Sequence, residues 1–426
     1  MLMLGIFLAM VAMICLNIPI AVALAVSAIM GLLVMEGTSS LVSVALDMYG
    51  GATKFSLIAI PMFVLAGAIM NAGGITDRLI NFVSAIIGFV RGGLAMVNIG
   101  VSLFFAEISG SAVADVAAMG SVLIPQMKKR GYSAPLAAAV TSSSASLAII
   151  IPPSIPMILY ATSSNTSVEQ LFVAGVVPGL MGAGGLMFVA YMFARKYNLP
   201  TEEAFNFKRL RETFVDALPA FTLPVIILGG IFGGWVTATE AAGLAVIAAI
   251  IVSLWYRQVD LRRLRAAMLD GGMQTAVVML LVAASVVMGS FMTRAQVPQD
   301  IAQGILSITD NKWLILLILN FFFLIVGFFL HSAAAIILVV PIVIPLIQAA
   351  GIDPVHFGLV VTLNLAIGQQ TPPVASVLIT SCAVARANIW DVSKVNVYFV
   401  AVLLTVLLMC TYIPSIPLFL VEYFYR

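Results

Sequence analysis

Apolar residues run along the chain in blocks about as long as the ~20 residues a membrane-spanning helix needs. Short polar breaks separate the blocks. The ten-residue alternating segments of a membrane barrel are absent. The pattern predicts helical spans at about 1–16, 19–35, 53–72, 133–164 and 168–194, then at about 217–234, 237–256, 266–292, 354–385 and 394–424. Segments 75–91 and 296–312 are weakly apolar with charges at both ends, and predict helices lying in the interface. Segments 94–128 and 313–350 must each start and end on one side of the membrane for the trace to close. Each has a polar or glycine-bearing midpoint, EISGSAVAD (107–115) and GFFLHSAA (327–334). Arms of about 16 residues reach only ~24 Å, so both segments read as re-entrant helical hairpins.

The chain also matches itself at an offset of 220 residues. Leu24-Ala25-Val26 falls on Leu244-Ala245-Val246, Ile124-Pro125 on Ile344-Pro345, Gly131 on Gly351, and Pro152-Pro153 on Pro372-Pro373. This predicts two halves, 1–198 and 212–426, joined by a polar cytoplasmic linker at 199–211. Basic residues gather at 128–130, in the linker and at 257–265, which places those loops in the cytoplasm. The loop 348–354, equivalent to the Lys128 loop, has no positive charge and should face the other side. Equivalent loops on opposite sides are the mark of inverted repeats. The expected fold class is an all-α polytopic membrane protein. It has two inverted-topology repeats, each with a re-entrant hairpin and a broken transmembrane helix (133–164 and 354–385).

Composition agrees. Of the 426 residues 62% are hydrophobic and 9% charged, against roughly 25% charged in soluble domains. Residues 1–35 lack a basic n-region and a small-residue cleavage site, and read as mature spans. A net charge of +2 gives no case for nucleic acid. Cys15, Cys382 and Cys410 are scattered and suggest neither a disulfide framework nor a metal site. No Walker-type phosphate loop is present, so ATP is not expected to drive this chain.

The stretch SLAIIIPPSIPMILYA (146–161) carries three prolines inside an apolar run. Each removes a helical hydrogen bond, and hydrocarbon cannot satisfy the freed carbonyls. Such breaks are tolerated where they line a cavity or bind something. TSSSAS (141–146) precedes the first break, and TLNLAIGQQTPP (362–373) surrounds the second. Hydroxyls, amides and free carbonyls are hard oxygen ligands that suit a small hard cation. The first candidate Na⁺ site joins the hairpin tip at Ser109 and Gly110 to Ser142, Ser143 and Ser144. The second joins Gly327 and Ser332 to Gly368, Gln369 and Thr371. Two broken helices predict two or more coupling ions. The alternative for single hydroxyls is back-bonding to their own helix or close packing.

GWVTATEAAGLAV (234–246), IIPPSIPMILYA (150–161) and IGQQTPPVA (367–375) resemble signatures of the large membrane subunit of tripartite ATP-independent periplasmic (TRAP) transporters. The resemblance runs along the whole chain. It implies a bacterial inner-membrane secondary transporter, not an enzyme, that imports an organic anion with sodium. Candidate anions are C4-dicarboxylates, sialic acids and other sugar acids. It also implies an elevator mechanism with scaffold and transport domains. Two protein partners are implied, a small four-helix membrane subunit and a soluble periplasmic substrate-binding protein, together with membrane lipid around the membrane-embedded chains. Candidate substrate contacts are Ser111, Asp115, Asn364 and Arg294. By residues alone Arg294 reads as a snorkelling interfacial arginine; the resemblance implies that it meets the substrate carboxylate, which its planar fork suits. Asp115 lies one turn beyond Ser111 on the same face, and Glu107 precedes the same tip. His331 stands where the resemblance implies a small or acidic residue. The rival readings are a stand-alone sodium/carboxylate transporter and, from another class, a channel. An intramembrane enzyme lacks a base convincingly placed for its serines.

Overall fold

A computed structural model describes residues 2–16, 18–109, 111–201, 204–257 and 261–425. The described residues form helices and turns, with no strand among them. The first half comprises α1 (Leu2–Cys15), α2 (Ile20–Glu36), α3 (Ser40–Ala52), α4 (Ala59–Ala72), α5 (Ile75–Ile87), α6 (Gly93–Ser109), α7 (Ala112–Lys129), α8 (Ala134–Ala145), α9 (Ile155–Ser164) and α10 (Val168–Lys196). In the second half α11 (Phe207–Pro224) runs through a π turn into α12 (Gly230–Phe232). It is followed by α13 (Ala238–Trp255), α14 (Leu261–Arg294), α15 (Val297–Leu306), α16 (Lys312–Phe329), α17 (Ser332–Ala349), α18 (Pro354–Gly368), α19 (Ser376–Ala385), α20 (Ile389–Tyr412) and α21 (Ser415–Tyr425). Among the described residues, nine helical segments are long and apolar enough to cross a membrane.

Local sequence explains the boundaries that matter. Ser133 caps α8, its hydroxyl accepting from the Leu136 amide at 3.3 Å, with a proline in the first turn. Asp353 caps α18 in the same way, accepting from the amides of Val355 and His356 at 2.8 and 3.0 Å. Such caps satisfy amides that a helix start leaves orphaned. At the first break α8 tightens into a 3-10 turn over Ser146–Ile149. Ser154 bridges the gap beyond it. Its hydroxyl donates to the Ile149 carbonyl at 2.7 Å and accepts from the Met157 amide at 3.4 Å.

Several segments differ from the sequence trace. Residues 40–52, left outside any span, form α3. With two glycines, two serines and an aspartate its propensity is weak, and packing against α14 supplies what propensity does not. Gly51 lies so close to Val286 that a Cβ there would sit 2.6 Å from its Cγ2. The single span expected at 394–424 is two helices, α20 and α21, because Pro414 cannot continue α20. The expected linker at 199–211 ends inside α11, which starts at Phe207 under an Asn206 cap. The expected hairpins coincide with the pairs α6–α7 and α16–α17. Their arms run to 17 or 18 residues, or about 27 Å at the longest. Arm length therefore does not by itself forbid a crossing.

The element boundaries recur at an offset near 220: α7 with α17, α8 with α18, α9 with α19 and α10 with α20. Packing is exchanged between the halves as well, α9 lying on α17 and α19 on α7. Tyr160 on α9 donates to the Pro354 carbonyl at 2.8 Å, and Lys128 on α7 donates to the Ala385 carbonyl at 3.0 Å. These contacts place both broken helices in one large core. A separate core joins α1, α2, α3 and α14 through Leu24, Ala28, Leu32, Val287 and Phe291.

Candidate functional site

The polar residues of the core converge on the two breaks. Thr141, Ser142, Ser143, Ser144 and Ser146 are all buried. Asn98, on the first arm of the first hairpin, donates to Thr141 Oγ1 at 2.7 Å and accepts from Ser144 Oγ at 3.0 Å. Thr141, Ser144 and Ser146 also return a hydrogen bond to carbonyls of α8. Ser143 instead reaches out and donates to Asn396 Oδ1 of α20 at 2.8 Å. Ser142 Oγ is buried and has no hydrogen-bond partner.

At the second break the polar groups are larger. Asn364, buried on α18, donates to Asn320 Oδ1 of α16 at 2.7 Å and to the Val360 carbonyl at 2.8 Å. Asn320 in turn donates to Thr411 of α20 at 3.1 Å. Asn364 Oδ1 and Gln370 Oε1 are buried without a partner. Gln369 accepts from Ser376 across the gap, and Thr371 returns its hydroxyl to Ile367. Gly327 and Gly368 lie backbone to backbone. A Cβ on Gly368 would sit 2.6 Å from Gly327 Cα, and one on Gly327 would sit 3.1 Å from Gly368 Cα. Ser332 is buried at the start of α17.

The two breaks are linked. The Asn396 carboxamide accepts from Ser143 and donates to the Gln370 carbonyl at 3.1 Å. One buried side chain thus touches both. Sequence reasoning missed Asn98, Asn320 and Asn396. Each is a lone polar residue in an apolar helix, and the near-220 spacing of Asn98 and Asn320 within equivalent hairpin arms was the signal available.

Of the predicted residues, the structure brings Ser142, Ser143 and Ser144 together at one break, and Gly327, Gly368, Gln369 and Asn364 around the other. Gly110 lies outside the described residues, as do the side chains of Ser109 and Glu107. Ser111 occupies the N-cap position of α7, and Asp115, fully buried, lies in its first turn. Asp115 lines a cavity of about 700 Å³ between α4, α7 and α14, together with Asn71, Ser121, Asp270 and Gln274. Arg294 is elsewhere. It ends α14 and forms an ion pair with Glu36, the last residue of α2, both about one-third exposed. His331 is exposed at the second hairpin tip. Glu240 completes a capping box with Thr237 at the start of α13, a structural role.

The chemistry of these sites is that of neutral oxygen. The described residues hold no cluster of His, Cys, Asp and Glu that could take a metal. A buried oxygen left unpaired costs about 1–3 kcal/mol, and three stand at the breaks. A small hard cation is stabilised by such oxygens, so the donor set fits Na⁺.

The family model of the tripartite ATP-independent periplasmic transporter, DctM component, matches residues 7–416. The chain is 38% identical over 405 residues to the isethionate TRAP transporter permease protein DctMQ of Oleidesulfovibrio alaskensis, covering 95% of this chain and 64% of that protein. It is 36% identical over 377 residues to the C4-dicarboxylate TRAP transporter large permease protein DctM of Pseudomonas aeruginosa, covering 88% of each. Among solved structures the YdaH transporter of Alcanivorax borkumensis superimposes with a TM-score of 0.65 over 89% of both chains at 14% identity. That likeness speaks to the fold alone.

Proposed function

The chain belongs to the DctM component family of TRAP transporters, and from that premise we propose that it imports an organic anion in symport with sodium. It is a multi-pass inner-membrane transporter subunit and not an enzyme. The observation that carries the sodium reading is the unpaired buried hydroxyl of Ser142, which stands beside a broken helix within the first proposed ion site. Relatives are named for isethionate and C4-dicarboxylate, and this supports a small organic acid as cargo. The proposed partners are a periplasmic binding protein that delivers the anion and a small membrane subunit on a separate chain.

We assign one ion to Ser142, Ser143 and Ser144 with the Ser109–Gly110 tip, and a second to Gly327, Ser332, Gly368, Gln369 and Thr371. The proposed substrate position lies near Ser111, Asp115 and Asn364. Arg294 joins it by exchanging the Glu36 carboxylate for that of the substrate. The recurrence of element boundaries and the exchanged packing of α9 and α19 support inverted repeats. In the proposed elevator, the core around both breaks moves against a scaffold that includes α2, α3 and α14. A sodium gradient would then drive the movement because closure over the anion requires both ion sites to be filled.

The test is uptake of labelled organic acids into proteoliposomes holding this chain and its small subunit, with and without the binding protein. Uptake that needs both sodium and binding protein supports the reading. Sodium-driven uptake without the binding protein identifies a stand-alone carboxylate transporter. Uptake indifferent to sodium overturns the ion assignment.

A further inference from the structure

Away from the breaks, a second cavity opens between the start of α11 and the end of α13. It has a volume of about 650 Å³, within the range of small-ligand sites. One wall is fixed. Arg78 of α5 places its guanidinium 3.7 Å from the centre of the Tyr256 ring and pairs through Nε with Asp216 at 3.2 Å. Tyr256 donates its hydroxyl to the Asp216 carbonyl at 2.7 Å. These contacts commit Arg78 and Asp216 to each other.

The opposite wall is one face of α11. Lys208, Arg211, Glu212, Val215 and Pro219 follow one another at helical spacing. Lys208 and Glu212 stand 4.0 Å apart and are largely solvated, a pairing of little strength. Arg211 has no ion-pair or hydrogen-bond partner among the described residues. With Arg78 set against Asp216 and Lys208 only loosely held by Glu212, Arg211 and Lys208 can turn toward an anion in the cavity.

Of the lining residues Trp255 is 75% exposed and Val215 60%, and along the same two helices Leu254 and Leu218, outside the lining, are 62% and 51% exposed. A site for a soluble anion gains nothing from these exposed apolar side chains. A lipid does, because its acyl chains need apolar surface below a charged headgroup. Tryptophan at a helix end is also the residue of the membrane interface. The first turns of α11 hold Lys208, Arg209 and Arg211, and the segment after Trp255 holds Arg257, Arg262, Arg263 and Arg265, the basic pattern of the cytoplasmic leaflet, where anionic lipids attract basic segments.

We propose that this cavity binds the phosphodiester headgroup of an anionic membrane phospholipid, with Arg211 and Lys208 on the phosphate and the acyl chains along Val215, Leu218 and Leu254. The site does not depend on the sodium reading. A lipid held there also braces α5 and α11 against the end of α13.

The test uses bromine quenching of Trp255 fluorescence. Trp235, Trp313 and Trp390 are changed to Phe, and the full chain is placed in phosphatidylcholine nanodiscs containing brominated phosphatidylglycerol or, at equal fraction, brominated phosphatidylcholine. Brominated phosphatidylglycerol should be enriched at Trp255 over phosphatidylcholine. Arg211→Gln should reduce that enrichment about fivefold, and adding Lys208→Gln should remove it. Equal quenching by both lipids, or enrichment unchanged in the double variant, overturns the proposal. So does full relief by millimolar glycerol phosphate, which would mark a site for a soluble phosphate ester. If the triple Phe protein does not fold, native mass spectrometry of the wild-type chain and of the Arg211 and Lys208 variants reads retained phosphatidylglycerol against phosphatidylcholine, with the same outcomes.

Discussion

The buried polar side chains that α8 brings to the first break are hydroxyls, Thr141 to Ser144, whereas α18 and its end bring the carboxamides Asn364, Gln369 and Gln370 to the second. Position for position, Ser144 in the first half stands where Asn364 stands in the second, and each is held by an asparagine on the adjoining hairpin arm. The second half has Gly368 where the first has Ala148. The second hairpin comes within direct backbone contact of α18 because Gly327 and Gly368 lack side chains. Carboxamides reach farther than hydroxyls, and Asn320 carries the second network on to Thr411 of α20. The comparison teaches that one frame can present two oxygen sites of different size and rigidity. Asn396 is the joint between them.

The sharpest way to break this comparison is to exchange the small residues. In Gly368→Ala the new Cβ would meet Gly327 backbone at 2.6 Å, where nothing can swing aside. Sodium-driven uptake in proteoliposomes should fall more than tenfold at equal protein amount. The mirror change Ala148→Gly should cost only about 1 kcal/mol of thermal stability. Equal effects of the two would mean that the close approach is not specific to the second half.

Next in size is the asparagine network. Asn364→Leu strands Asn320 Oδ1 in the core, a cost of about 1–3 kcal/mol. Ser144→Ala likewise strands Asn98 Oδ1, although the amide nitrogen keeps Thr141, and should cost a comparable amount. Thermal unfolding in detergent should show losses of similar size for the two variants, and a much larger loss in one would mean that the two networks are not equivalent. Asn396→Leu severs Ser143 from Gln370. The steepness of uptake against sodium concentration should drop toward that of independent sites. Wild-type steepness would show that Asn396 holds the fold without coupling the ions.

The smallest expected effect is the most diagnostic. Ser142 Oγ has no partner to lose, so Ser142→Ala should leave the melting temperature in choline unchanged. It should reduce the stabilisation that sodium adds, which for an ion at 100 times its Kd is about 2.7 kcal/mol. Thr371→Ala should likewise raise the sodium concentration needed for uptake. Identical sodium stabilisation in wild type and Ser142→Ala would remove Ser142 from the ion's ligands.

Much of the frame was legible because its signals are local. Paired prolines mark both breaks, Ser133 and Asp353 mark the helix starts that lead to them, and SGS and HS mark the hairpin turns. α3 was not legible, because Gly50, Gly51 and Asp47 argue against a helix that forms by packing on α14. Nor was the surrounding of Arg294. Sequence places it after an apolar run, but only the fold brings Glu36 from 258 residues away to pair with it.

Hydropathy, proline and capping residues act over one or two turns, so helical membrane spans with interruptions can be read directly from the chain. Which oxygens face one another depends on contacts between helices. Asn98, Asn320 and Asn396 come from three helices far apart in the chain, and a hydrogen bond is fixed by positions within a few tenths of an ångström. No periodicity in the sequence encodes those positions; the packing of α6, α16 and α20 around the two breaks does.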